Sequence, residues 1–172
     1  MATALKLLAA EDLVKRRRCA IGEIPPEDAK LAAAHAYWNA KRRDGLLPAK
    51  GDIDILELRP LIGTTHMVDV SDPDPGNYHV RLRGSSVPDD ALRKVSNKPL
   101  HMCGSKALGE SLMEDYAAVA FTGTAAYHQV VALLDYIRHS YSRLILPLAE
   151  DGRHVDSLMV CFNRREFSDF SL

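Results

Sequence analysis

The chain has 172 residues, a length that suits one domain with a flanking extension. Apolar residues make up 47% and charged residues 26%, a composition too apolar for a disordered chain. The 22 basic residues oppose 23 acidic ones for a net charge of −1, so no global field draws the protein to nucleic acid or to an anionic membrane.

Residues 1–23 carry a loose helical pattern that Pro25-Pro26 stops, which predicts a helical N-terminal extension and linker over residues 1–27. The apolar residues at its start are too few and too interrupted for a signal peptide, and no stretch approaches the roughly 20 apolar residues of a membrane span. A cytoplasmic protein is therefore expected. The run Lys15-Arg16-Arg17-Arg18 has Glu11, Asp12 and Glu23 close by and reads as a solvated helix face. Cys19, Cys103 and Cys161 are odd in number and far apart, without a CxxC pair, and read as isolated thiols of a reducing compartment.

A domain over residues 28–165, with a tail at 166–172, begins at Asp28, a good N-cap. The alanine-rich segment 29–43 sets Leu31, Ala34 and Trp38 at helical spacing and ends at Gly45. Trp38 can anchor this helix on a sheet or on a second copy of the chain. After an irregular stretch containing Pro48, Gly51 and Pro60, residues 64–70 alternate, with His66, Val68 and Val70 on one face. The turn-rich string 72–77 leads to a second alternating run in which Tyr78, Val80 and Leu82 oppose His79, Arg81 and Arg83.

Pro88 opens a short helix reaching about residue 95. A longer helix over 105–122 carries Leu108, Leu112, Tyr116 and Val119 on one stripe, with Gly123 as its cap. Residues 125–134 form a third strand and 135–140 a loop. The closing hairpin, 142–162, turns at Asp151-Gly152. Alternation alone puts Leu144, Leu146, Val160 and Phe162 on an inner face, and Arg143, Met159 and Cys161 on an outer one. This order argues for an α+β fold, one antiparallel sheet with helices on one face.

Several segments together resemble the bacterial single-domain PAS family known as PAS_5. They are Tyr37-Trp38, Leu47-Pro48-Ala49, Asp52-Ile53-Asp54, the run from Tyr78 to Gly84, and the run from Arg143 to Gly152 with Val155-Asp156. The resemblance spans roughly residues 36–162. It implies a PAS-like five-stranded antiparallel sheet curled around a pocket, and a role in signal transduction through ligand binding, dimerisation or partner contact. The expectation is a stand-alone sensory module, a homodimer or the companion of a signalling protein.

Expected pocket residues are His66, Val68, Tyr78, Val80, Leu82, Leu92, Tyr116, Val130, Leu144, Leu146 and Val160. Trp38, Arg81, Arg83, Arg143 and Met159 are the expected interface, because an outer face mixing arginine with apolar residues suits a partner. The ligand class is a small apolar molecule, with haem on His66 as the alternative. No HxxxH or HExxH pair occurs, so no metal site is expected. A photoactive flavin site would need an asparagine-cysteine-arginine context that Cys103 lacks. Asp52 and Asp54 read as loop-ordering residues, and the absence of a GxSxG elbow, a Walker loop or a GxGxxG string argues against an enzyme. A small catalytic protein centred on Asp52, Asp54 or His101 is the remaining alternative.

Overall fold

The structure, a computed structural model, describes residues 11–86 and 98–172. The short helix expected at 88–95, and Leu92 with it, lies outside the described residues. The other elements form a six-stranded antiparallel sheet in the order β1-β4-β5-β6-β2-β3. In chain order they are β1 (Leu13–Cys19), α1 (Ala29–Lys41), β2 (Thr65–Asp69), β3 (His79–Leu82), α2 (Lys106–Thr122), β4 (Ala126–Leu134), β5 (Ile137–Leu148) and β6 (Ser157–Arg164).

The sixth strand comes from the segment expected to be helical. Residues from Leu13 to Cys19 pair without a slip along β4, from Leu13 opposite Leu133 to Cys19 opposite Tyr127. Its basic residues alternate between the two faces. Arg16 reaches Glu114 and Asp115 on one side; Arg17 reaches Gln129 and Asp169 on the other. Pairing with an existing edge overrides the weak helical preference of this segment.

The register of β5 on β6 decides which residues share a face. Leu144 lies opposite Cys161, Ile145 opposite Val160, and Leu146 opposite Met159. Directly opposed residues point the same way. Ile145, Leu158, Val160 and Phe162 therefore meet α2, while Leu144, Leu146, Met159 and Cys161 meet α1. The expected grouping of Leu144 and Leu146 with Val160 is off by one residue, a slip that exchanges the two faces. Both faces are apolar because helices cover both, where the sequence pattern pointed to one.

Helix α1 buries the narrow stripe Leu31, Ala34 and Trp38 against β5 and β6. The indole N–H of Trp38 donates to the carbonyl of Pro147 at 2.8 Å. Helix α2 starts at Ser105, whose hydroxyl accepts from the N–H of Leu108, and stops at Gly123 with φ +63°, a left-handed cap natural to glycine. Its stripe Leu108, Leu112, Tyr116 and Val119 closes the other core.

Strands β4 and β5 are joined by only Asp135 and Tyr136, both with positive φ, so most of the expected loop 135–140 is strand. The Asp12 carboxylate accepts from the N–H of Asp135 and holds this tight turn. The β5–β6 connection is longer. Its Gly152, at φ +74°, presents a carbonyl that accepts from Leu47 N–H at 2.9 Å, while Ala149 N–H donates to Pro48.

Candidate functional site

Of the expected pocket residues, His66, Val68, Tyr78, Val80, Tyr116 and Val160 come together in the core beneath α2, all nearly or fully buried. His66 is the second residue of β2, opposite Val160, with its ring edge-on to Phe162 at 4.8 Å. Its Nδ1 accepts the N–H of Gly84 at 3.3 Å. Its Nε2 is buried with no hydrogen-bond partner among the described residues. Burial, with the charge of Arg83 second, pushes the imidazole down to about 4 and keeps it neutral at physiological pH. A buried polar atom with spare hydrogen-bonding capacity in an apolar layer is uncommon.

The remaining pocket assignments change. Leu144 and Leu146 line the opposite core beneath α1, for the register reason above. Leu82 is 54% exposed, because a bulge at Met67/Val68 turns the end of β3 away from the core. Val130 faces α2 but sits on β4, across the sheet from His66.

The expected interface is largely internal. Trp38 and Met159 are buried in the α1 core. Arg143 is 1% exposed, because its strand face looks into α2, where its guanidinium pairs with Asp115. Arg81 remains at the surface in an ion pair with Asp69 at 3.1 Å, and Arg83 is half-buried. Asp52 and Asp54 order their loop: Asp52 accepts from Ala49 N–H, Asp54 from Leu56 N–H, and the hydroxyl of Tyr37 from the N–H of Asp54.

Two polar centres were not foreseen. Beneath α2, Asp115 is shared by Arg16 and Arg143, with His128 Nε2 at 3.8 Å. Burial, reinforced by the charge of Arg143, pushes His128 down to about 4, although Asp115 pulls the other way. On the α1 side, the fully buried Asp28 carboxylate accepts from Tyr127, Ser142, Asn163 and Arg165. These contacts hold it charged, below the usual carboxylate range, against the opposing effect of burial. Its side chain makes no cap bond to α1 although it holds the N-cap position. Only alternation on the correct register predicts these groupings, since Arg16 lies 99 residues from Asp115 and Asp28 lies 99 to 137 residues from its partners.

The fold is that of a sensory domain: an antiparallel sheet carrying a buried, incompletely bonded histidine beneath a helical cover. The chain belongs to the PAS_5 family of PAS domains, whose family model matches residues 27–162. β1 lies outside the matched region. One solved structure similar to this chain is that of an RNA-binding Light-Oxygen-Voltage receptor, at 12% sequence identity and a TM-score of 0.43. The alignment covers 90% of this chain and 38% of that one. No curated protein matches the sequence. Among the described residues no helix is long and apolar enough to cross a membrane, and no group of three or more histidine, cysteine or acidic side chains is placed to hold a metal ion.

Proposed function

We propose that the protein is a sensory module that binds a small, largely apolar molecule beneath α2 and passes the signal to a second copy or a signalling partner. The unpartnered Nε2 of His66 carries this reading. With Nδ1 accepting from Gly84, its neutral imidazole carries the proton on Nε2 and is ready to donate to one polar atom of a ligand whose remainder rests on Val68, Val80, Tyr116 and Val160. Binding there shifts α2 relative to the sheet, which is how occupancy reaches the surface. PAS domains as a class are sensory, which favours this reading over a catalytic one.

Native mass spectrometry of protein purified without added ligand tests the proposal. The expected result is a co-purifying compound retained by the wild type and lost from His66→Phe, which fills the same space without the nitrogen. Equal retention by both proteins overturns the role of His66. Haem as the ligand predicts a Soret band on addition of hemin, abolished in the same variant.

A further inference from the structure

A second concavity lies between β1, β4 and α2, about 340 Å³ in volume and lined by Arg16, Arg18, Glu114, Asp115, Ala126 and His128, with Ala118 beside them. One wall is β1, a strand that lies outside the region the family model matches. His66 is not among its lining residues.

The hydrogen-bonding inventory of the cleft is unbalanced. Three guanidinium groups, Arg16, Arg18 and the underlying Arg143, face two carboxylates. Arg16 takes Glu114 with one nitrogen and Asp115 with another, and Arg143 takes the second oxygen of Asp115. Arg18 has no hydrogen bond or ion pair among the described residues, and its strand position puts it opposite His128. Among the described residues the Nε of Arg143 and the Nδ1 of His128 are both buried without a partner, on residues directly opposed across β4 and β5. The His128 side chain is only 6% exposed. A guanidinium nitrogen cannot accept, so the buried Nε of Arg143 lacks an acceptor among the described residues. Ala118 and Ala126 leave the space in which acceptors would stand.

We propose that this cleft binds the oxyanion of a small metabolite, a carboxylate or a phosphate, with Arg18 as the charged fork and His128 as the inner hydrogen-bond donor. A planar guanidinium suits both oxyanions. The groups facing His128 are Arg16 and Arg18 from β1, Arg143 from β5, and Glu114 and Asp115 from α2. Without a ligand the cations and burial keep the imidazole neutral; an anion alongside offsets them and favours its protonated form. The acidic rim at Glu114 disfavours highly charged polyanions and selects a compact ligand.

Isothermal titration of the full chain with inorganic phosphate and, separately, with succinate tests the site, together with the His128 ring proton shifts by NMR. At least one anion is expected to saturate the wild type with a dissociation constant of about 1 mM or tighter. Binding should weaken about 10-fold in Arg18→Ala, the scale of one charge-assisted contact, and the His128 resonances should move on binding. Phosphate preferred over succinate identifies a phosphorylated metabolite, and the reverse a carboxylate. Arg18 is exposed and unpartnered among the described residues, so its removal leaves the melting temperature unchanged and the comparison clean. Failure of both anions to saturate by about 20 mM, or binding that is unaltered in both Arg18→Ala and His128→Gln, overturns the proposal.

Discussion

Trp38 on α1 and Pro147 on β5, 109 residues apart, are joined by an indole-to-carbonyl hydrogen bond of 2.8 Å inside the core. The bond fixes α1 on the sheet face that was expected to be a docking surface. The helix is thus a permanent cover of the domain, with its aromatic anchor spent internally.

Trp38→Ala should accordingly lower stability by about 3–5 kcal/mol, the usual cost of emptying an aromatic core position. Trp38→Phe should cost about 1–2 kcal/mol by leaving the Pro147 carbonyl unsatisfied. Urea denaturation gives both values. Light scattering should show no change in mass for the folded variants; a shift in oligomeric state with unchanged stability would assign Trp38 to an interface instead.

Asp28→Asn should destabilise the protein by about 3 kcal/mol near neutral pH, since Arg165 loses a charged partner and three hydrogen-bond donors keep a weaker one. The folded carboxyl titrates below its unfolded value, so its contribution is present above about pH 4 and fades as pH falls through the folded pKa. The gap between wild type and variant should close in acid. A gap independent of pH would mean that shape, and not charge, matters at this position.

Both His66 and His128 titrate near 6.5 when unfolded and about 4 when folded. Between those values the unfolded chain binds protons that the native chain refuses, so stability falls as pH drops from 6.5 towards 4. The slope approaches about 1.4 kcal/mol per pH unit for each histidine. Denaturation midpoints across this range should decline less steeply in His66→Phe and in His128→Gln, each variant removing one proton from the linkage. A slope that neither change alters would contradict the burial of these rings.

Gly84 and Gly45 separate two uses of glycine. A Cβ on Gly84 would collide with the carbonyl group of Gly63, a backbone clash, and its N–H must reach His66. Gly45 needs only its φ of +76° and has open space around it. Gly84→Ala should cost more than about 3 kcal/mol and Gly45→Ala only about 1 kcal/mol. Thermal melts of the two variants give the comparison.

Helices α1 and α2, the strand pair β2–β3 and the closing strands were legible, because periodicity and turn residues are local signals. Leu47-Pro48-Ala49 and Asp151-Gly152 carried the family resemblance, and the structure supplies the reason: Leu47 bonds to Gly152, and Pro48 to Ala149 just before the turn. Three features stayed hidden. The strand nature of residues 13–19 depends on the free edge of β4, which no neighbour in sequence reports. The Asp135-Tyr136 turn contains no glycine to announce it. The buried ion pair of Arg143 with Asp115 required the register of β5, and a strand buried on both faces gives alternation no polar side to follow. His66 was legible as the one histidine on an apolar strand face; His128 stood out beside Val130, but its charged neighbours come from β1, β5 and α2.

The carboxylate of Asp28 closes the connection from β1, while Asn163 and Arg165 open the tail whose Asp169, Phe170 and Ser171 reach back to Arg17 and Lys15. The connection after β1 and the tail after β6 are thus fastened to each other at both extremities of a short clasp. Tension applied to either flank is borne by both.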